Sequence, residues 1–166
     1  GQGVPQDNKE AVRWYQKAAD QGHALGQCNL GRMYEKGEGV SRDYTEAVKW
    51  YQKAADQGEA EGQFKLGQMY DAGHGVPHSY KKAHYWYQKA ADQGHAEGQY
   101  ELSWNYGFGI GVTPDIVESH KWLIIAAACG NKIAAPLVNR EAERMTSDQI
   151  KQAQERARNW KPVKHN

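Results

Sequence analysis

Hydrophobic and small residues in the middle of the chain follow the period of an α-helix twice in succession. From Tyr44 to Ala55 they recur at i, i+3, i+4 and i+7, which marks one face of a helix. A second helical stretch runs from Ala60 to Gly73. Gly58, between the two, can adopt the left-handed conformation that ends a helix. The pattern therefore predicts a helix, a tight turn and a second helix.

The same helix pair recurs along the chain at a fixed interval. The sequence WYQKAADQG is present at 14–22, 50–58 and 86–94. Three further series keep a step of 36 residues: Trp14, Trp50, Trp86 and Trp122; Gly22, Gly58, Gly94 and Gly130; Leu30, Leu66, Leu102 and Val138. Periods of roughly 20 to 50 residues are typical of solenoids. The sequence predicts an all-α solenoid of helix-turn-helix repeats with a 36-residue period.

The repeats divide the chain into segments that we predict to form one domain over residues 1–166. They are a half repeat at 1–22, complete repeats at 23–58, 59–94 and 95–130, a partial repeat at 131–145 and a C-terminal capping helix at 146–161. Because the half repeat contains the WYQKAA helix without the LGxxY helix that comes first in each complete repeat, we expect that residues upstream of it have been removed or lost.

Polar residues before the helices predict how they begin. Asp43 with Glu46 three residues on forms a D-x-x-E signature of a helix N-cap, and Asp7 and Asp115 repeat it. Ser79 stands at the same position in the third repeat and can also cap a helix. Gly26, Gly62, Gly98 and Ala134 share one position inside a helix, where small side chains predict close approach of a neighbouring helix.

The C-terminal segments depart from the repeat. Thr146 and Gln149 predict a capping box. A hydrophobic staple between Met145 and Ile150, and an apolar stripe that ends at Trp160, complete the capping helix. Pro136 predicts that the preceding helix either begins late, near Ala135, or is kinked. We favour the late start because proline is tolerated in the first turn.

Composition and charge exclude several classes of function. A formal net charge of +1 gives no general electrostatic reason to bind nucleic acid. The longest apolar run, Leu123 to Cys129, is too short to insert into a membrane. Two cysteines are too few for a disulfide framework, and the compartment stays open.

The stretch AEGQFKLGQMYDAGHGVPHSYKKAHYWYQKAADQG resembles a Sel1-like repeat, a relative of the tetratricopeptide repeat. The resemblance implies a right-handed superhelix of helix pairs, with the LGxxY helix on the concave side and the WYxKAA helix outside. It also implies an adaptor in protein complexes, found largely in bacteria and in eukaryotic protein-quality control. We therefore expect a bacterial interaction module.

Candidates for catalysis or metal binding are few. Ser79 and Lys82 match S-x-x-K of penicillin-recognising enzymes, but S-D-N and K-T-G are absent and a helix cap explains Ser79 better. Cysteine-rich members of the family have been discussed as β-lactam-binding proteins, yet their paired cysteines are missing. His84 and His120 share one repeat position. We interpret them as ordinary part-buried or surface histidines, and the alternative is that they bind a metal or form a pH-sensitive contact. We predict no catalytic residues, no metal and no cofactor.

Binding on a solenoid normally falls on variable positions of the concave face. The candidates are Arg32, Lys36, Phe64, Gln68, Tyr100, Trp104, Phe108, Arg140 and Arg144. Aromatic residues at helical spacing are usually core, and this favours packing for Phe64 and Tyr100. Trp104 and Phe108 replace polar residues of other repeats and favour a binding surface, with contact to the capping helix or an enlarged local core as the alternative.

The hypothesis is a non-enzymatic protein–protein interaction module. Its concave face would bind a protein or peptide with an apolar anchor and acidic flanks. The alternatives are an enzyme that binds or hydrolyses β-lactams, and a structural segment of a longer scaffold.

Overall fold

The computed structural model describes residues 4–163, with side chains from Asp7 onward. This part of the chain consists of α-helices joined by short turns, without a strand. The helices are α1 Val4–Asp20, α2 Ala24–Lys36, α3 Tyr44–Asp56, α4 Ala60–Ala72, α5 Tyr80–Asp92, α6 Ala96–Phe108, α7 Ile116–Ala128, α8 Ala134–Ala142 and α9 Ser147–Asn159. The all-α prediction is confirmed.

The helices fall into two compact units, one ending at Ser79 and the other beginning at Tyr80. In the first unit α1 packs on α2, α2 on α3, and α3 on α4. In the second unit α5 packs on α6, α6 on α7, and α7 on both α8 and α9. A single domain over residues 1–166 stays a prediction.

Helix starts and stops within the repeats follow the predicted chemistry. The Asp43 carboxylate accepts from the amides of Thr45 and Glu46, and that of Asp115 accepts from Val117 and Glu118. Ser79 directly precedes the first residue of α5. Gly58, with φ of 86°, provides the predicted left-handed stop.

The prediction that Asp7 caps the first helix is wrong. Helix α1 begins at Val4 and includes Asp7 in its first turn. In later repeats the amide of the residue before the helix donates to a tyrosine carbonyl of the preceding LGxxY helix, as Asp43 does to Tyr34 and Asp115 to Tyr106.

Helix pairs approach closely at the predicted small residues. A Cβ added at Gly26 would lie 2.7 Å from the Cβ of Ala18, and one at Gly62 would lie 2.8 Å from that of Ala54. One residue further on, the buried Gln63 side chain donates to the Ala55 carbonyl at 3.2 Å. Glycine at this position thus brings a polar side chain within reach of the neighbouring helix terminus, where carbonyls lack intrahelical partners.

The helix of the partial repeat at 131–145 begins late, as predicted. Helix α8 begins at Ala134, two residues later than its equivalents in the other repeats. The Asn131 side chain caps it by accepting from the amides of Ile133 and Ala134, at 3.0 and 2.9 Å. Pro136 is consequently the third helical residue, where its missing N–H leaves no intrahelical bond unmade.

The C-terminal helix closes the second unit against α7. Thr146 and Gln149 form the predicted capping box. Arg156 donates to the Glu118 carboxylate at 2.7 Å. The Trp160 ring meets Trp122 of α7 edge-on, with centroids 6.0 Å apart. This contact holds the terminal helix beside the elements that form the site described next.

Candidate functional site

A groove of about 420 Å³ lies within the second unit, between α6, α7 and α8. Its lining residues come from three successive elements and the turns beside them. They are Ser103, Trp104, Gly107, Phe108, Pro114, Ile116, Ser119, His120, Leu123, Leu137, Arg140, Glu141, Arg144 and Met145. Four of them, Trp104, Phe108, Arg140 and Arg144, belong to the binding surface predicted from sequence.

Aromatic rings of α6 form one wall of the groove. The rings of Trp104 and Phe108 stack with centroids 5.0 Å apart and planes 9° apart. Tyr100 meets Trp104 edge-on at 6.1 Å and packs with its other neighbours against the cluster of Leu123, Ala126 and Ala134. Tyr100 therefore supports the wall from the core side and is not itself a groove residue.

Phe108 is the exposed end of this wall. It is the last residue of α6 and is 64% exposed, while Trp104 is partly buried. The equivalent residues in earlier repeats are Lys36 and Ala72, so the helix pair does not need an aromatic ring here. The prediction of a solvent-facing aromatic is confirmed for Phe108 and only partly for Trp104.

Two arginines lie on the opposite rim. Arg140 and Arg144 are largely exposed, and both guanidinium groups approach the Glu141 carboxylate, at 3.6 and 3.5 Å. Two positive charges share one negative charge. The rim therefore keeps a net positive charge. Ion pairs that are this exposed also bind their partners only weakly, so both arginines can exchange Glu141 for another carboxylate.

His120 lies in the lining of the groove and is only 3% exposed. Its Nδ1 is buried without a hydrogen-bond partner among the described residues. Burial lowers the pKa of the imidazole, and the Glu141 carboxylate opposes this effect. The neutral form is thus favoured. The adjacent Ser119 hydroxyl donates to the Ser103 carbonyl at 2.7 Å and is already satisfied.

The other predicted surface residues belong to the first unit. Arg32 and Lys36 are exposed on α2, and Gln68 on α4 is half-buried and accepts from Lys65 at 3.1 Å. Phe64 is only 7% exposed, so it is a core residue and its predicted place on a binding surface is corrected. The packing interpretation of Phe64 is the one its burial supports.

The sequence did not predict several groove residues, above all Ile116, Leu137, Glu141 and Met145. Three of them lie in or beside α8, at repeat positions that the comparison of variable residues did not include. His120 stood out only as a histidine at a position where two repeats carry valine. Its place in the groove depends on the packing of α8 against α7.

Reactive groups outside the groove have ordinary structural surroundings. Burial raises the pKa of the Cys28 thiol to about 12, with Glu61 and Glu59 adding to the effect, so the thiolate nucleophile is disfavoured. His84 lies 3.4 Å from the Asn105 side-chain nitrogen and edge-on to Tyr106. Across residues 4–163 no three His, Cys, Asp or Glu side chains are placed to hold a metal ion.

Helices α1 to α9 include none with the length and apolar character required to cross a membrane.

The sequence matches the Sel1 repeat family model at residues 1–23, 24–59, 60–95 and 96–131. The chain belongs to the Sel1 repeat family. Sel1-repeat proteins generally mediate protein–protein interaction and are generally not enzymes. No curated protein matches the sequence.

Solved structures of bacterial Sel1 repeat proteins share the fold. A Sel1 repeat protein from Oxalobacter formigenes is 34% identical, with a TM-score of 0.76 over 90% of this chain and 62% of its own. A protective antigen of uropathogenic Escherichia coli is 28% identical, with a TM-score of 0.68 over 90% of this chain and 40% of its own. This Sel1 repeat chain thus spans less than two thirds of either relative.

Cysteine rich protein B of Helicobacter pylori has the same fold at 23% identity. Its TM-score is 0.65, over 82% of this chain and 98% of its own. The three structures confirm the prediction of a helical repeat fold of the Sel1-like type.

Proposed function

We propose that this chain is a non-enzymatic interaction module and that the groove between α6, α7 and α8 binds a segment of a protein partner. The observation that carries the proposal is the stacked Trp104–Phe108 pair, whose outer ring is 64% exposed at a position where other repeats carry Lys36 and Ala72. Exposed aromatic rings beside a groove are typical of the residues that contribute most to interface affinity.

The charges around the groove favour a particular kind of segment. Arg140 and Arg144 outnumber Glu141 on the rim, and the Trp104 side is uncharged. Acidic residues beside an apolar anchor would be attracted to this rim during encounter. We therefore propose an extended segment or loop with an apolar anchor and acidic flanks.

The first unit offers a second contact surface for the same module. Helices α2 and α4 contact each other, and they carry Arg32, Lys36 and Gln68 on surface positions. These residues differ between repeats, as the residues of a specific surface must. We propose that they contribute to partner binding less strongly than the aromatic groove, because they lack a buried apolar anchor.

The geometry gives little support to the β-lactam alternative. Ser103 and Ser119 are the groove serines, and their hydroxyls donate to the carbonyls of Tyr100 and Ser103, both at 2.7 Å. An activated serine instead needs its hydroxyl hydrogen-bonded to a base. Turnover of a chromogenic β-lactam by the purified chain would overturn the non-enzymatic proposal.

The proposal is tested by exchanging residues between repeats. Trp104→Gln installs the side chain of Gln68, its equivalent in the preceding repeat. Tyr85→Lys is the matched control: Tyr85 is exposed on α5, does not line the groove and has Lys49 and Lys121 as equivalents. Proteins captured from the source cell with wild type and Tyr85→Lys, and lost with Trp104→Gln, are the candidate partners.

The affinity of the purified chain for the captured partner is then measured. We expect Trp104→Gln to weaken binding by roughly 30-fold, which corresponds to about 2 kcal/mol for a central interface residue. Tyr85→Lys should leave the affinity unchanged. Equal affinities of wild type and a normally helical Trp104→Gln would refute the groove and favour a structural role for this segment.

A further inference from the structure

Among the described residues that line the groove, His120 is the one with a buried side-chain polar atom that has no hydrogen-bond partner. The equivalent residues are Val12, Val48 and His84. His84 has Asn105 within 3.4 Å, whereas the Nδ1 of His120 is buried without a partner. Because valine fills this position in two repeats, packing does not require histidine. A buried, unpaired nitrogen beside an exposed aromatic pair indicates a hydrogen bond that a ligand completes.

The surroundings of His120 favour a neutral ligand group at this nitrogen. From α6 the groove receives Ser103, Trp104 and Phe108, and beside His120 on α7 stands Ser119, all uncharged. From α8 and the turn after it come Arg140, Glu141 and Arg144, of which the two arginines are largely exposed on the rim. Because burial disfavours the imidazolium, a carboxylate placed against His120 would meet only a neutral ring N–H and no opposing positive charge.

We propose that the groove receives a tyrosine side chain of an acidic partner segment, with its ring against Trp104 and Phe108 and its hydroxyl hydrogen-bonded to His120. A phenol hydroxyl both donates and accepts, so it suits either tautomer of a neutral imidazole, whereas a tryptophan N–H only donates. Tyrosine also combines a large apolar ring with a polar tip. The ring suits the aromatic wall of the groove, and the hydroxyl suits the buried nitrogen of His120. Small side-chain shifts of the kind common at interfaces bring the hydroxyl to the ring nitrogen.

The acidic neighbours of that tyrosine lie at the rim. Arg140 and Arg144 share only Glu141 between them, so one positive charge remains for a partner carboxylate. This inference rests on the proposed function, since it names the residue that the interaction groove recognises. It adds a discrimination that an apolar groove alone lacks, namely tyrosine over phenylalanine.

Three blocked peptides test the inference with the full chain: acetyl-Glu-Tyr-Glu-amide, acetyl-Glu-Phe-Glu-amide and acetyl-Lys-Tyr-Lys-amide. Binding is followed by NMR through the indole resonance of Trp104 and the imidazole resonances of His120. We expect the Glu-Tyr-Glu peptide to bind roughly three- to tenfold more tightly than Glu-Phe-Glu, the worth of one neutral hydrogen bond. The Lys-Tyr-Lys peptide should bind more weakly than Glu-Tyr-Glu.

His120→Val, which installs the residue of Val48, should abolish the preference for tyrosine, so that Glu-Tyr-Glu and Glu-Phe-Glu bind with equal affinity. Equal or tighter binding of Glu-Phe-Glu to the wild type overturns the inference without any variant, as does absence of binding by every peptide at millimolar concentration. A tyrosine preference that survives His120→Val in a folded chain also overturns it. None of these results touches the Trp104→Gln test with the whole partner, so the two proposals fail separately.

Discussion

The ring of Phe108 stacks on Trp104 at 5.0 Å, yet Phe108 is 64% exposed. One face of the phenylalanine is thus covered by its neighbour one helical turn earlier, and the rest of the ring meets solvent. The pair forms a flat apolar step at the end of α6, directly before the left-handed Gly109 turns the chain away. This step and the basic rim of α8 are the two sides on which a partner segment would rest.

The exposure of Phe108 predicts that its loss spares the fold. Phe108→Ala installs the residue of Ala72, and we expect the free energy of unfolding to change by less than about 0.5 kcal/mol, as for most surface substitutions. Partner affinity should fall. Urea unfolding followed by circular dichroism measures the first quantity. A loss of several kcal/mol would show that the ring is part of the core.

The rim arginines are expected to act on association. Arg140→Gln with Arg144→Ala installs the residues of Gln68 and Ala72 and removes both exposed positive charges. We expect a several-fold slower association rate at low salt and a weaker salt dependence, with little change in dissociation, because rim charges steer encounter. Stopped-flow measurements with Lys89→Gln on α5 as control check this. An unchanged salt dependence of the association rate would show that Arg140 and Arg144 do not steer the partner.

Contact between helices at the repeated glycines predicts how much an added methyl group lowers the free energy of unfolding at each of them. A Cβ at Gly62 would lie 2.8 Å from the Cβ of Ala54, whereas one at Gly98 would lie 3.2 Å from that of Ala90. Gly62→Ala should therefore destabilise by about 1–3 kcal/mol, as overpacking does, despite alanine's better helix propensity. Gly98→Ala should cost less. The reverse order in thermal unfolding would contradict the contact geometry.

The two equivalent histidines predict opposite effects of the same change. His120→Val removes an unpaired buried nitrogen and should leave stability at pH 7 unchanged or raised by up to about 1 kcal/mol. His84→Val removes the neighbour of the buried Asn105 side chain and should lower stability by about 1 kcal/mol. Denaturant unfolding of both variants checks the contrast, and equal losses would contradict it.

The pH dependence of the same variant follows from the lowered pKa of His120. Because the unfolded chain binds this proton more readily than the folded chain, the free energy of unfolding falls as the pH drops below the unfolded pKa of about 6.5. Below the folded pKa this loss is complete. The stability advantage of His120→Val over wild type should therefore grow as the pH falls from 7 to 5. A constant difference would contradict burial as the cause.

The repeating part of the fold followed from sequence because its determinants are local. Asp43 and Asp115 cap the helices that they precede, and Gly58 ends the helix before it. Asp7 lies inside α1, although it carries the same D-x-x-E signature as Asp43. The amide of Asp43 also donates to the Tyr34 carbonyl, a nonlocal hydrogen bond that the local signature does not predict.

The candidate site was predictable only where repeats could be compared position by position. Trp104 and Phe108 stood out because equivalent residues are polar or small, and both line the groove. The same comparison included Phe64, yet its ring is buried. A difference between repeats shows that a position varies, but it does not show whether the side chain faces solvent or the core. Leu137 and Met145 were missed because their equivalents, Glu101 and Gly109 in the preceding repeat, were not among the positions compared.

Photo-crosslinking tests the central claim most directly. A benzophenone amino acid replaces Phe108 in one chain and Tyr85 in another, since both side chains are exposed and only Phe108 lines the groove. If the groove between α6, α7 and α8 binds the partner, position 108 forms the crosslink in the source cell and position 85 does not. A partner crosslinked from position 85 and not from 108 would contradict the account.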